Sequence, residues 1–133
     1  LISREDHTSE GERLIDPALG ANPLGILTYA PNHFAAQFMK RDRSGGDDAV
    51  ASPQGENNTG AIGGYDAYFG TYHVVEQTGE VLHLLKGALS AQNVGVEVSR
   101  NLTVIGDQLR IQLDTTSAEG TPISRVLKWV RVG

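Results

Sequence analysis

Among the residue types able to do chemistry, His83 comes first. It stands in the apolar run Val81-Leu82-His83-Leu84-Leu85, where an imidazole titrating near neutrality is the best general acid/base candidate in the chain. The plainer reading of the same residue is a neutral core histidine with one ring nitrogen satisfied. His7 and His33 fall in predicted loops, and His73 alternates with Tyr72 and Val74. Tyr68, Gly70, Tyr72 and Val74 share one face of a predicted strand, opposite Tyr65, Ala67, Phe69 and Thr71. Two tyrosines bracketing a glycine leave a gap that a flat molecule could enter, and their hydroxyls need partners wherever they are buried. Tyr72 is accordingly the second acid/base candidate; alternatively, the two rings simply fill the interior. Arg100 is in register with Val96, Val98, Leu102 and Val104. It either meets a carboxylate or carbonyl inside a cavity or snorkels at the sheet rim.

A further candidate wall lies within residues 24–40. With Asn32 as the middle of a three-residue Pro31-Asn32-His33 connection, Tyr29 opposes Ala35 and Leu27 opposes Gln37. One face then carries Gly25, Leu27, Tyr29, Ala35, Gln37 and Met39. The other carries Ile26, Thr28, Ala30, Phe34, Ala36 and Phe38, and reads as plain packing. An amphipathic ring, one amide and a soft thioether suit a small-molecule cavity, mostly apolar with a few orienting groups. The alternative for Gln37 is a solvated side chain on an outward face. The ligand-binding candidates are therefore Tyr29, Gln37, Met39, Tyr68, Tyr72, His83 and Arg100. Trp129, with Leu127 on its face, is expected to pack across one end of the core.

Much other chemistry is missing from the sequence. There is no P-loop, no GxGxxG, no His-Glu-x-x-His and no Gly-x-Ser-x-Gly, so neither a cofactor nor a hydrolase elbow is expected. The histidines at 7, 33, 73 and 83 lack metal-site spacing, and no metal is expected. Cysteine is absent, which excludes disulfides, thiolate zinc sites and thiol nucleophiles. Asp47-Asp48 reads as a solvated acidic pair on a loop. Asn57-Asn58-Thr59 matches the glycosylation sequon, a pattern common by chance.

Short strands must position the candidate side chains, because no segment sustains the 3.6-residue apolar stripe of a core helix. Eight strands are predicted, over residues 1–5, 24–30, 34–40, 65–75, 80–86, 95–104, 108–113 and 123–132, punctuated by turn residues. Eight antiparallel strands joined mostly by hairpins suit an all-β, up-and-down β-barrel formed by residues 1–133 as one domain. Closure removes the unpaired edges of an open sheet; an open sandwich is the alternative. Residues 41–63 make the one long irregular segment, read as a lid-like loop, in which a helical turn at 47–51 is conceivable.

Composition narrows the classes further. A chain of 133 residues, 39% hydrophobic and 20% charged, can bury a single core and is no disordered tail. No apolar run approaches the roughly 18 residues of a transmembrane helix. Sixteen acidic against eleven basic residues give a net charge of -5, which argues against a nucleic-acid partner. The one basic cluster, Lys40-Arg41-Asp42-Arg43, is too small to reverse that. No signal peptide is visible, so a cytoplasmic location is expected. Secretion stays open because the chain begins inside a predicted strand, which reads as a truncated N-terminus.

Several segments follow one another in a suggestive order and spacing. They are Asn22-Pro23-Leu24-Gly25-Ile26-Leu27-Thr28-Tyr29-Ala30-Pro31-Asn32, Ala36-Gln37-Phe38-Met39-Lys40-Arg41 and Tyr65-Asp66-Ala67-Tyr68-Phe69-Gly70-Thr71-Tyr72. Gly79-Glu80-Val81-Leu82-His83 and Leu127-Lys128-Trp129-Val130-Arg131-Val132 complete the set. From Pro23 onward this pattern resembles the lipocalin-like domain family of bacteria and fungi. It departs at Asn32-His33, where the family usually has an Asp-Gly turn, and the family's glycine-tryptophan opening strand is cut short, since Leu1 begins just after it. The resemblance implies an eight-stranded, calycin-type barrel with a small-molecule pocket. Some related small barrels in natural-product pathways act as cyclases or isomerases.

The expected function is therefore binding of a small hydrophobic or amphipathic molecule inside the barrel. The alternative is a biosynthetic cyclase, isomerase or lyase that holds its substrate folded, with His83 or a tyrosine such as Tyr72 lending acid/base help. A barrel plugged by its own side chains, serving as a structural module, is a third option. Neither nucleic acid nor membrane insertion is expected, and a homodimer is left open by the apolar residues on both faces of 24–40.

Overall fold

The computed structural model describes residues 1–43, 57, 61–117 and 119–133. Nine strands among them form one antiparallel sheet: β1 (Ser3–Thr8), β2 (Arg13–Leu14), β3 (Leu24–Ala30), β4 (His33–Met39), β5 (Tyr65–Val75), β6 (Glu80–Ala88), β7 (Glu97–Ile105), β8 (Gln108–Thr116) and β9 (Pro122–Val130). A short 3-10 turn, Ala91–Asn93, links β6 to β7. The strand order is β2-β1-β9-β8-β7-β6-β5-β4-β3. From β3 to β9 each strand thus lies beside its sequence neighbour, and β1 returns to pair with β9. The sheet curls until its ends approach, and the Leu1 nitrogen donates to the Gly25 carbonyl oxygen of β3 at 3.0 Å.

The all-β, up-and-down barrel architecture is the one expected. The strand count exceeds expectation by β2, whose two residues are too few to show an alternation. Its partner β1 also runs three residues further than predicted, because its inward positions are Arg4 and Asp6 rather than apolar side chains.

Period-two alternation sends one residue in two to the concave side. Phe34, Ala36 and Phe38 of β4, Val81, His83 and Leu85 of β6, and Ile123, Arg125, Leu127 and Trp129 of β9 are all buried. One core cluster gathers Ala36, Phe38, Ile111, Leu113, Leu127 and Trp129 with Ala18 and Leu19 from the β2–β3 connection. A second holds Phe34, Leu85 and Val98, flanked by Tyr29, Tyr68 and Tyr72.

The first hairpin departs from the expected register. Tyr29 pairs with Phe34 and Ile26 with Gln37, so the connection is the two-residue turn Pro31-Asn32. Asn32 takes φ 65°, the left-handed conformation that the second central position of a type II turn demands and that asparagine tolerates, while proline presets the first. Shortening the loop by one residue turns every β4 side chain over. Phe34, Ala36 and Phe38 therefore line the interior with Tyr29, while Gln37 and Met39 lie on the convex side.

Gly70 corrects a second expectation. A bulge between Phe69 and Gly70 presses β5 against β6, and a side chain at Gly70 would overlap the Leu84 carbonyl oxygen. The neighbouring backbone, not a ligand, takes the space that glycine leaves. On the outer surface the Phe69 ring covers Gly87 in the same way.

Most of the expected lid, including Asp47-Asp48 and the helical turn at 47–51, lies outside the described residues; between 44 and 60 only Asn57 is described.

Candidate functional site

Five expected site residues meet on the concave side. Tyr29 arrives from β3, Tyr68 and Tyr72 from β5, His83 from β6 and Arg100 from β7. The ladders bring them together: Tyr72 pairs with His83, His83 with Val98, and Val81 with Arg100, which places Arg100 diagonal to His83. Gln37 and Met39 do not join them, because the two-residue turn points them outward.

At the centre the Tyr29 hydroxyl lies 2.6 Å from His83 Nε2. Phe34 stacks on the imidazole with ring centroids 4.2 Å apart, and Tyr72 meets Tyr29 edge-on at 4.9 Å. His83 is only 3% exposed. Burial first, and the Arg100 charge second, pull its pKa down to about 4, so the imidazole is neutral at neutral pH. Burial likewise pushes the Tyr29 phenol up. The pair is thus a neutral hydrogen bond rather than an ion pair.

The second ring nitrogen, Nδ1, is buried and has no hydrogen-bond partner among the described residues. If the phenol donates to Nε2, Nδ1 carries the proton and is an unmet donor. If Nε2 donates, Nδ1 is an unmet acceptor. Either arrangement costs about 1–3 kcal/mol relative to a satisfied nitrogen.

Tyr72, the other acid/base candidate, is hydrogen-bonded to the backbone of β3. Its hydroxyl donates to the Ala30 carbonyl oxygen at 2.9 Å, pinning β5 to the end of β3. The residue whose hydroxyl touches His83 is Tyr29.

Arg100, 6% exposed, is held from below by the loop residue Asn57. Its Nη1 donates to the Asn57 carbonyl oxygen at 3.0 Å, to Asn57 Oδ1 at 3.0 Å and to the Ser99 carbonyl oxygen at 2.8 Å. The Tyr68 hydroxyl is also hydrogen-bonded to the Arg100 side chain. Burial raises the Tyr68 phenol, and Arg100 opposes that rise.

Asn57 itself completes a broken ladder. The β7–β8 pairing runs from Ile105↔Gln108 to Asn101↔Gln112 and stops. Beyond it, Asn57 Oδ1 accepts from the Ser99 amide at 2.7 Å, while Nδ2 donates to the Ser99 and Asp114 carbonyl oxygens at 3.1 and 3.2 Å. One side-chain amide does the work of a peptide group between two strands. An open cleft of about 510 Å³ adjoins it, lined by Leu82, Glu97, Ser99, Asp114 and Thr116 among others. Nothing in the sequence singles out Asn57 for this role beyond its place in a turn-rich loop.

A second buried polar group is not expected from the sequence. Arg125 donates to both Asp6 carboxylate oxygens, at 2.7 and 3.1 Å, and Arg4 lies 3.2 Å from Asp16. Burial first, and Arg125 second, lower the Arg4 pKa to about 10, which leaves it charged. Arg125 does carry a signal. It alternates with Ile123, Leu127 and Trp129 just as Arg100 alternates with its aliphatic neighbours. Arg4 and Asp6 do not, because residues 3–8 contain no apolar side chain.

Among the described residues no group of His, Asp and Glu could hold a metal ion, and no helix is long and apolar enough to cross a membrane. A curled antiparallel sheet with an aromatic concave face defines a small barrel of the lipocalin-like class. The model of the lipocalin-like domain family matches residues 1–132, and the chain belongs to that family. Neither the curated proteins nor the solved structures compared with it gave a significant match.

Proposed function

We propose that the protein binds a small, largely apolar molecule on the concave side of the barrel, against Tyr29, Phe34, Tyr68 and Tyr72, oriented by His83. The observation that carries this is His83 Nδ1, a buried polar atom beside aromatic rings that no described residue matches. A ligand oxygen or N–H there would supply the missing bond, and barrels of this size suit one small guest. N-phenyl-1-naphthylamine, a neutral apolar dye, tests the proposal. Saturable one-to-one binding should shift the side-chain NMR signals of His83, Tyr29 and Tyr72. Absence of saturable binding by both this dye and its anionic analogue 8-anilinonaphthalene-1-sulfonate, or shifts confined to outer-face residues such as Ile26 and Phe69, would refute it.

The Tyr29–His83 contact favours a second reading, an isomerase or cyclase. With His83 neutral and Tyr29 raised, the pair would polarise a substrate by hydrogen bonding rather than exchange a full proton at neutral pH. Small molecules retained through purification separate the two readings by chromatography and mass spectrometry. A carrier retains the same compound in wild type and in His83→Gln. An enzyme's inactive variant retains an isomer of the wild-type product.

A further inference from the structure

The interior carries three buried arginines, and they are not equivalent. Arg125 is bonded to Asp6, and Arg4 is paired with Asp16. Arg100 has no carboxylate partner among the described residues. Its two Nη1 hydrogens serve three neutral oxygens, and its remaining three N–H groups meet, among the described residues, only the Tyr68 phenol. A guanidinium cannot shed its charge to escape burial, and an uncompensated buried cation is costly unless a counter-charge reaches it. Asp66 bears on Tyr68, but no carboxylate among the described residues is hydrogen-bonded to Arg100.

We infer that the ligand of this barrel is an anion: an amphipathic molecule whose carboxylate, or similar singly charged oxygen group, meets the free edge of Arg100 beside the Tyr68 hydroxyl, while its apolar body lies against Tyr29 and Phe34. This rests on the binding role proposed above and adds the charge of the guest. The planar fork of arginine matches a carboxylate through two parallel hydrogen bonds. The neutral His83–Tyr29 pair adds no opposing charge.

Two dyes sharing one skeleton test the charge alone. 8-Anilinonaphthalene-1-sulfonate carries an anionic group that N-phenyl-1-naphthylamine lacks. Wild type should bind the anionic dye at least tenfold more tightly. Arg100→Met should erase that preference by weakening the anionic dye at least tenfold and leaving the neutral dye within about twofold. Because Arg100→Met removes a buried charge without stranding a carboxylate, the variant is expected to fold. Should it not, 2-naphthoate against 2-naphthamide in competition with the neutral dye on wild type reads the same preference, with the carboxylate competing at least tenfold better. Equal affinity for charged and neutral partners overturns the inference and leaves barrel binding intact. If neither dye binds, the binding proposal itself falls.

Discussion

Acid should destabilise this protein through His83, over a pH window set by burial. Folded, the imidazole titrates at about 4; unfolded, a histidine titrates near 6.5. Between those values the unfolded chain takes up a proton that the folded chain refuses, so the stabilisation is complete above about pH 6.5 and is lost as the pH falls. The slope is about 1.4 kcal/mol per pH unit, and the loss levels off near pH 4 at about 3 kcal/mol. That is a large share of the stability of a small domain. Urea denaturation of wild type and His83→Gln at pH 7.5, 6.5, 5.5 and 4.5 measures it. Glutamine cannot titrate but keeps an amide for the Tyr29 hydroxyl. Asp6 and Asp16 are bonded to Arg125 and Arg4 rather than to His83, so whatever they contribute cancels in the difference. Wild type should lose about 2–3 kcal/mol more than the variant across this range. Parallel curves would mean that the imidazole protonates freely in the folded state, and both the burial argument and the neutral Tyr29–His83 pair would have to be given up.

Three further outcomes follow from the geometry. Asp6→Ala removes the carboxylate that Arg125 binds at 2.7 and 3.1 Å, leaving Asp16 at the longer distance of 4.0 Å, and should cost about 3–5 kcal/mol in urea unfolding; a loss below about 1 kcal/mol would show that water reaches the pair. Asn57→Ala removes the side-chain amide that bridges Ser99 and Asp114. It should cost about 1–3 kcal/mol and accelerate hydrogen exchange at the Ser99 amide, and unchanged exchange would deny the strand-bridging role. Gly70→Ala drives a methyl group into the β6 backbone and should destabilise by about 1–3 kcal/mol or more, seen as a lower Tm; an unaltered Tm would contradict the bulge.

The two arginine environments suggest how the barrel divides its labour. The Arg4, Asp6, Asp16 and Arg125 group is matched internally and ties β1 and β9 to the β2–β3 connection. The Arg100, Tyr68, Tyr29 and His83 group is not matched, and its unmet capacity is what makes it a candidate site rather than a piece of core.

Much of the barrel was legible in the residues themselves. Two-residue alternation between turn formers placed Tyr68, Tyr72, His83 and Arg100 on one side of their strands without reference to any partner, because side-chain direction within a strand depends only on local backbone geometry. Which strand faces what is another matter. Whether Gln37 or Phe38 looks inward hangs on a single residue of turn length at Pro31-Asn32, and an asparagine able to adopt positive φ decided it. The partner of a buried polar group is equally invisible along the chain: His83 lies 54 residues from Tyr29, and Arg125 lies 119 from Asp6. Neither Asn57 closing the β7–β8 ladder nor Leu84 filling the space at Gly70 follows from local spacing, since both depend on how distant segments meet. Local propensity thus determined the strands and their faces, while register and the matching of buried charge waited for the curled sheet to bring them together.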